Sequence, residues 1–358
     1  MDKLTRKKAL LDNVRLSEGA KFECNENAIF EEYNTQEENK SSLVIKVLSV
    51  FGGFLASLAF LGFLAISGLY NSEFGLLIFG LGFIISAIWL NKVYDRLIID
   101  TFSVSIYLIG FALFAFGLSE MKVDENIIAL LISFIALSSL FISQNFILSF
   151  ISVLVISSSL IFLIIYNNSY DLIHLYISIN TLVVTYFFLN EAKIISSDNR
   201  LSMLYNPVRI GLVISLLFGL ISVGKKHLIP ISQSHIWLSS IVIILVTMYL
   251  VYTIVKINEI KTIKSKMMIY ILSALILAST IFSPSISGGI LIVLLSFLVN
   301  YKRGLAIGII SIIYFIAQYY YDLNFTLLTK SIILFISGII FLLFYLFTIK
   351  NLNPNEKI

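Results

Sequence analysis

Runs of about 20 consecutive apolar residues recur along most of this chain, separated by short polar breaks. A helix of that length spans a bilayer core of about 30 Å, and it satisfies its own backbone hydrogen bonds in lipid. The runs are continuously apolar and do not alternate in polarity as the strands of a membrane barrel do. Only 13% of the 358 residues are charged, whereas soluble domains carry about a quarter. The chain is therefore expected to be a helical membrane protein.

The fold class that these runs predict is all-α, a polytopic integral membrane helical bundle of about 12 transmembrane helices, or about 10 at the lower count. The predicted segments are residues 43–67, 74–90, 97–118, 127–142, 146–166, 172–189, 208–223, 236–255, 267–282, 286–299, 305–318 and 326–347. Segments 267–282 and 286–299 are short and meet at Ser283-Pro284-Ser285. They form either two spans or one re-entrant hairpin, and both alternatives keep the total number of spans even.

The two ends of the chain are more polar than its middle. We expect a short soluble cytoplasmic tail at residues 1–42, the bundle at residues 43–349 and a cytoplasmic carboxyl-terminal tail at residues 350–358. In the first tail, apolar residues recur at helical spacing among lysines and arginines, which predicts a short basic amphipathic helix. The tail is either simply solvated or binds a membrane surface or a partner. No cleavable signal peptide precedes the first apolar run, so that helix is expected to target the chain.

The lysines and arginines predict the orientation. With the amino terminus inside, the cytoplasmic segments hold Lys92, Arg96, Lys193, Arg200, Arg209, Lys256, Lys261, Lys264, Lys266, Lys302, Arg303, Lys350 and Lys357. The outside or boundary positions hold Lys46, Lys122, Lys225, Lys226 and Lys330. This distribution follows the positive-inside rule. It predicts a multi-pass protein of the cell inner (cytoplasmic) membrane with both termini in the cytoplasm. It also accounts for the net charge of +4, so the charge does not indicate nucleic-acid binding.

Residues that commonly form catalytic or metal sites are scarce. Cys24 is the single cysteine, so neither an intramolecular disulfide nor a cysteine-based metal cluster can form. The three histidines are His174, His227 and His235, which argues against a histidine-rich metal site. A phosphate-binding glycine loop, a metalloprotease helix with paired histidines and a serine elbow are all absent from the sequence. We predict no cofactor, no metal and no catalytic residue.

Polar residues inside apolar segments are candidate functional positions, because burying them in a membrane is costly. Asp100 lies near the inner end of the third segment, four residues after Arg96. It is either a proton-coupling carboxylate or one half of an interfacial ion pair. His174 lies near the outer end of the sixth segment, with Asn180 about two turns deeper. The two side chains could belong to a polar track, or His174 could be an interhelical hydrogen-bonding residue.

A polar cluster joins the last two segments. It begins at Gln318, continues through Tyr321 and Asp322, and ends at Lys330, one turn inside the last segment. Lys330 needs a partner or a route to water, and Asp322 is the nearest acid in the sequence. The alternative is that the tyrosines form an aromatic belt at the outer membrane face.

The last eighty or so residues resemble an uncharacterised family of bacterial membrane proteins, DUF4401. The resemblance rests on residues 285–289, Lys302-Arg303-Gly304, residues 319–323, residues 327–331 and Gly338. It implies a bacterial inner-membrane protein from a family often encoded beside other membrane proteins of unknown role. It implies no activity and no catalytic residue.

Three functions are compatible with these observations. The first is a non-enzymatic component that works with a partner membrane or envelope protein, favoured because catalytic motifs are lacking. The second is a transporter or channel for an ion or small solute, favoured by the number of helices, the break at residues 284–289 and Asp100. The third is a membrane-embedded enzyme that acts on lipid-linked substrates. The expected partners are the lipid bilayer and a neighbouring membrane protein, and nucleic acid is not expected.

Overall fold

A computed structural model describes residues 72–322 apart from residues 94–96, 144, 226–228, 232–234 and 261, together with scattered residues between 52 and 68 and between 328 and 346. In this part of the chain the fold is all-α and contains no strand. The predicted tails, residues 1–42 and 350–358, lie outside the described residues.

The described region from residue 72 to 322 consists of helices joined by short turns. These are α1 (Glu73–Val93), α2 (Leu97–Glu120), α3 (Glu125–Ile142), α4 (Phe146–Tyr166), α5 (Leu172–Leu189), α6 (Glu191–Ser197), α7 (Asn199–Gly224), α8 (Trp237–Ile257), α9 (Ile263–Ala278), α10 (Pro284–Leu298) and α11 (Lys302–Asp322). Among the described residues, eight helices are long and apolar enough to cross a membrane, namely α1 to α5, α7, α8 and α11. Helix α10 is apolar but shorter, and α9 has 16 residues.

Ten of the predicted segments correspond to these helices, from residues 74–90 at α1 to residues 305–318 at α11. The first and last predicted segments, residues 43–67 and 326–347, lie largely outside the described part of the chain. The all-α class, with eight helices long and apolar enough to cross a membrane among the described residues, is thus observed, whereas the total of about 12 spans stays a prediction.

Several helices extend beyond the apolar segments that predicted them. Helix α7 begins at Asn199, nine residues before the predicted start, and contains Pro207 within its first three turns. Hydropathy finds only the lipid-embedded part, whereas helical hydrogen bonding continues into the polar interface. Proline is tolerated there because neighbouring helices satisfy the freed backbone groups. The short helix α6, with no buried residue, gave no apolar signal.

Successive long helices alternate in direction, so their ends collect into two groups. At one end, Asp171 before α5 pairs with His235 before α8. At the other end, Asn145 before α4 bonds Asp100 near the start of α2. We name the Asp171 end the outer end and the Asn145 end the inner end, after the orientation that the charges predict. Basic residues gather at the inner end of the described helices: Lys92, Lys193, Arg200, Arg209, Lys256, Lys264, Lys266, Lys302 and Arg303.

The amino-terminal helices form one packed group. Helices α1 and α2 approach until their backbones touch, since a Cβ on Gly80 would lie 2.7 Å from the Phe114 backbone nitrogen and one on Gly110 would lie 2.8 Å from the Gly80 carbonyl oxygen. Small residues permit this closeness, which maximises van der Waals contact in lipid. Tyr107 on α2 is fully buried and shares a 2.8 Å hydrogen bond with Ser152 on α4.

Helix α7 connects that group to the rest of the bundle. It packs against α4 on one side and against α5, α10 and α11 on the other. The largest buried apolar cluster lies on this second side and includes Ile177 of α5, Leu216 of α7, Leu250 of α8 and Leu291 of α10. Helices α5 and α7 therefore lie at the centre of the bundle.

The two short helices α9 and α10 lie against different neighbours. Helix α9 packs on α8, whereas α10 packs on α7, α8 and α11. The turn between them reaches the outer end of α7, because the Ser285 hydroxyl donates to the Leu220 carbonyl at 2.7 Å and faces Gly224. With 16 residues in α9 and 15 in α10, neither is among the helices long and apolar enough to cross a membrane, so both alternatives, two spans or one re-entrant hairpin, stay predictions.

Candidate functional site

Buried polar side chains follow the length of α5. His174, Asn180, Thr181 and Thr185 are each less than 10% exposed, and they face the apolar core or its margins. Helix α5 packs against α7, α8 and α10 on one side, whereas Leu175, Ile179 and Leu182 on its other side are more than half exposed. The structure therefore places the predicted candidates His174 and Asn180 on one central helix. We call this row of side chains the α5 polar row.

His174 lies at the outer end of the row and is 2% exposed. Its Nδ1 shares a 3.0 Å hydrogen bond with Ser239 on α8, whereas its Nε2 has no hydrogen-bond partner among the described residues. One turn earlier, the Asp171 Oδ2 lies within hydrogen-bonding distance, 3.0 Å, of the His235 Nδ1, and both side chains are about half exposed. His174 thus joins two helices in the structure.

Asn180 occupies the middle of α5, as the ninth of its 18 residues. Its amide nitrogen donates to the Tyr176 hydroxyl at 3.4 Å, and that hydroxyl donates to the Ser215 carbonyl on α7 at 3.2 Å. Ser157 on α4 donates to the Ser215 hydroxyl at 2.6 Å. These bonds join α4, α5 and α7 at mid-depth. The Asn180 Oδ1, although buried, has no hydrogen-bond partner in the described part of the protein.

A lipid-facing groove runs along this network, with a volume of about 480 Å³. Helices α4 and α5 form its walls, and Val208 and Leu212 of α7 lie at its base. The lining is almost entirely apolar; Ser157, Tyr176 and Asn180 are its polar members. From Leu172 to Phe187 it extends about 22 Å along α5, close to the thickness of a bilayer core. We call it the α4–α5 groove.

A buried ion pair lies at the inner end of the row. The Arg209 Nη1 is 3.1 Å from the Glu191 Oε1, and the two side chains are 6% and 27% exposed. Arg209 also donates to the Asn206 Oδ1 at 2.7 Å. Aromatic rings enclose the guanidinium, with Tyr301 at 3.9 Å and Tyr205 at 4.8 Å from its Cζ to the ring centroids. Such contacts stabilise a desolvated cation by about 2 kcal/mol.

Four buried atoms around this pair have no hydrogen-bond partner within the described structure. They are the Arg209 Nε, the Glu191 Oε2, the Ser296 hydroxyl and the Tyr301 hydroxyl. A guanidinium that binds a carboxylate through both Nη and Nε would satisfy the first two at once, whereas this pair uses a single contact. Buried polar atoms of this kind are where ordered water binds in protein interiors.

Asp100 is the third predicted candidate within a span. Its carboxylate binds the residue that caps the start of α4. Its Oδ1 accepts a 2.9 Å hydrogen bond from the Asn145 amide nitrogen. The Asn145 Oδ1 in turn accepts from the Ile147 backbone N–H at 2.8 Å and caps α4. Asp100 is therefore part of the turn at the inner end, separate from the α5 polar row. Its suggested partner Arg96 lies outside the described residues.

The predicted cluster at the end of α11 is only partly described. Gln318 donates to the Asp322 Oδ2 at 3.1 Å, one turn away on the same helix. Tyr321 is 77% exposed, as an aromatic residue at a membrane face would be. Lys330 lies outside the described residues, so the expected contact between Lys330 and Asp322 stays a prediction.

The comparisons with known proteins give one match. A family model described as a domain of unknown function, DUF4401, matches residues 42–350. The chain belongs to the DUF4401 family. The resemblance seen in the last eighty or so residues is thereby confirmed, and it extends over the whole predicted bundle. Comparison of this DUF4401 protein with curated proteins and with solved structures gave no match.

Sequence reasoning missed part of this DUF4401 site. The charge pattern uses Arg209 only to predict the topology, and it gives Glu191 no role. The available signal was that Glu191 lies two residues after the end of an apolar segment, while Arg209 falls inside one. Among the described residues, no three His, Cys, Asp or Glu side chains come together in a way that could hold a metal ion.

Proposed function

We propose that this DUF4401 protein is a non-enzymatic, multi-pass component of the bacterial inner membrane that binds a partner membrane protein. The family match and the eight apolar helices support a membrane protein. The inner membrane, the cytoplasmic termini and the partner are part of the proposal. The orientation is supported by the gathering of basic side chains at the inner end of the bundle.

The α4–α5 groove is the observation that carries this proposal. Helices α4 and α5 are consecutive in the chain yet make little contact with each other, because α4 packs on α3 and α7 while α5 packs on α7 and α8. The gap faces lipid along its length. At its middle lies Asn180, which is 6% exposed and whose Oδ1 has no hydrogen-bond partner in the described structure. A lipid-facing gap with a polar centre is the feature that a partner must complement.

A transmembrane helix complements the groove better than a lipid chain does. Asn180 lies about 12 Å from either end of α5, and lipid chains carry no hydrogen-bond donor at that depth. A Ser, Thr, Asn or Gln side chain on a second helix supplies one when the Asn180 amide turns toward the groove, and such interhelical bonds contribute about 0.6 to 2 kcal/mol. The proposed partner is therefore a membrane protein that has a polar residue near the middle of one helix.

Transport of an ion or small solute is the second candidate, and the α5 polar row favours it. Buried polar atoms without described partners lie at successive depths, namely the His174 Nε2 and the Asn180 Oδ1 in the row and the Arg209 Nε of α7 at its inner end. However, fully buried apolar side chains such as Ile177, Leu250 and Leu291 pack closely around α5. A pathway would require these residues to move, whereas the groove is already open.

Co-purification tests the proposal directly. Tagged full-length protein is extracted from native membranes in mild detergent, and Asn180→Leu is compared with Ser178→Ala. The Ser178 hydroxyl donates to the His174 carbonyl of its own helix, so it serves as a control on the same element. We expect a stoichiometric membrane protein with the wild type and with Ser178→Ala, and about tenfold less of it with Asn180→Leu.

The stability of each variant completes the test. Loss of a single interhelical hydrogen bond costs about 0.6 kcal/mol on average, so Asn180→Leu should remain folded. Equal recovery of the partner with Asn180→Leu and wild type would contradict the role of the groove. Absence of any partner, together with ion- or solute-dependent thermal stabilisation, would favour transport instead.

A further inference from the structure

A second cavity lies between helix ends at the inner end of the bundle, and we call it the inner pocket. Its volume is about 460 Å³, within the range of about 300 to 1,000 Å³ that is typical of ligand sites. The end of α1, the end of α3 with the turn that follows it, and the start of α7 line this pocket. It shares no lining residue with the α4–α5 groove, so a ligand there would not depend on the proposed partner.

Two basic side chains from different helices line the inner pocket. Lys92 lies in the last turn of α1, and Arg200 lies in the first turn of α7. Neither makes an ion pair or a side-chain hydrogen bond within the described structure, and among the described residues no carboxylate lines the pocket. The carboxyl-terminal ends of α1 and α3 each contribute about half a negative charge, which the two full positive charges exceed. The inner pocket is therefore suited to an anion.

A buried hydroxyl group adds a hydrogen-bond donor to the inner pocket. Ser143 directly follows α3, lines the pocket and is 5% exposed. Its Oγ accepts a 3.3 Å hydrogen bond from the Asn145 backbone N–H and makes no other hydrogen bond in the described part of the chain. Since a hydroxyl group can accept and donate at once, the Ser143 hydrogen is left for a ligand oxygen. Phosphate oxygens accept such bonds, and both arginine and lysine bind phosphate.

The inner pocket also holds a hydrogen-bond acceptor that the protein does not use. The Asn91 Nδ2 donates to the Ala87 carbonyl of its own helix at 3.2 Å, whereas the Asn91 Oδ1 is buried without a hydrogen-bond partner in the described structure. A ligand hydroxyl satisfies this oxygen when the Asn91 amide turns toward the pocket. An ionised phosphate cannot do so, because its oxygens are acceptors. The complementary ligand therefore carries a hydroxyl group beside its phosphate.

Apolar side chains form the lipid-facing border of the inner pocket. Phe141 and Ile142 line it and are 63% and 59% exposed. A lipid whose headgroup occupies the pocket can extend its acyl chains along these two residues. The inner end is the cytoplasmic face in the predicted orientation, and basic pockets between transmembrane helices at that face bind acidic lipid headgroups.

We infer that the inner pocket binds a phosphate ester that carries a free hydroxyl group. The phosphate lies between Lys92 and Arg200 and accepts from the Ser143 hydroxyl, and the ligand hydroxyl donates to the Asn91 Oδ1. Two sources present this chemistry: the headgroup of phosphatidylglycerol in the membrane, and free glycerol phosphate. The apolar border of the pocket favours the lipid.

Titrations of the wild-type protein test this inference without any substitution. Thermal unfolding of the full chain in detergent is followed with phosphatidylglycerol, with phosphatidylethanol, which has the same charge but no free hydroxyl, and with uncharged phosphatidylcholine. We expect phosphatidylglycerol to bind about fivefold more tightly than phosphatidylethanol and at least about tenfold more tightly than phosphatidylcholine. Glycerol 3-phosphate is titrated separately. Stabilisation by this compound identifies a soluble ligand, and stabilisation by phosphatidylglycerol alone identifies a lipid.

Matched substitutions locate the effect in the inner pocket. Lys92→Gln and Arg200→Gln should each weaken phosphatidylglycerol binding at least about tenfold, the loss expected for a hydrogen bond to a charged group. Lys193→Gln should not, since Lys193 is exposed at the same end of the bundle but does not line the pocket. Asn91→Leu should remove only the preference for phosphatidylglycerol over phosphatidylethanol.

Several results would overturn the inference. One is wild-type protein that neither phosphatidylglycerol nor glycerol 3-phosphate stabilises, or that binds phosphatidylcholine as tightly as phosphatidylglycerol. Another is a loss with Lys193→Gln as large as that with Lys92→Gln, because general surface charge would then explain the binding. Equal binding of phosphatidylglycerol and phosphatidylethanol by the wild type, or an unchanged preference in Asn91→Leu, would show that the ligand hydroxyl is not recognised.

Discussion

The ion pair between Arg209 and Glu191 should stabilise the inner end of the bundle, and its contribution can be worked out from the structure. Removing one partner of a buried pair costs about 3–5 kcal/mol. Glu191 is 27% exposed, so water partly solvates its carboxylate and the lower limit of about 3 kcal/mol applies. Loss of the stacking contact with Tyr301, at 3.9 Å, adds about 1 kcal/mol. Arg209→Met should therefore cost about 4 kcal/mol of unfolding free energy.

A neutral substitution separates charge from hydrogen bonding. Glu191→Gln keeps an oxygen that can accept from the Arg209 Nη1 and removes only the charge, so it should cost about 1–2 kcal/mol. In the double variant the two losses should not add, because the interaction is removed only once. Lys193→Met is the control, since Lys193 is exposed on the same short helix α6, and it should change stability by less than about 0.5 kcal/mol.

Unfolding in mixed detergent micelles measures these free energies for the four variants and the wild type. Strict additivity of Arg209→Met and Glu191→Gln, with each loss below about 0.5 kcal/mol, would refute the reasoning. It would mean that Arg209 extends to the inner surface like the other basic residues and that the aromatic rings do not desolvate it.

Three further outcomes follow from the predicted topology and tails. Single cysteines at Asn168 and Lys225 in a cysteine-free background should react with an impermeant reagent from outside intact cells, and protection of both would contradict the orientation. Protein that lacks residues 1–40 should remain in alkali-washed membranes, since the first apolar helix can target the chain; recovery in the soluble fraction would contradict this. If Lys330 pairs with Asp322, Lys330→Met should lower the unfolding temperature and Asp322→Asn should restore part of the loss, whereas additive losses would indicate no pairing.

Most of the fold in the described region could be predicted from hydropathy alone. A span must be apolar over its whole length, so segments such as residues 146–166 and 172–189 coincide with α4 and α5. Hydropathy did not predict the polar extensions of helices, such as the start of α7 at Asn199. A helical turn at the membrane interface has no apolar signature. Helix α6 was missed for the same reason.

The candidate site could be predicted from the sequence only in part. His174 and Asn180 could be suspected because a polar side chain within an apolar run is visible at once. The contact between Glu191 and Arg209 and the separation of α4 from α5 depend on how whole helices rotate and cross. Hydropathy records neither of these, since it is a property of one segment at a time. Asp100 was suspected for the same reason as Asn180, yet the structure places it at a helix cap.

Site-specific photo-crosslinking in native membranes tests the proposed partner binding most directly. A photoreactive residue is introduced at Ile179, which lines the α4–α5 groove, or at Leu182, which lies on the same helix outside the groove. The two positions are equally accessible, at 53% and 54% exposure, so only their location differs. We predict a discrete adduct with another membrane protein from Ile179, at least tenfold more abundant than from Leu182. Lipid adducts alone at both positions, or an adduct with a second copy of this chain, would contradict the account.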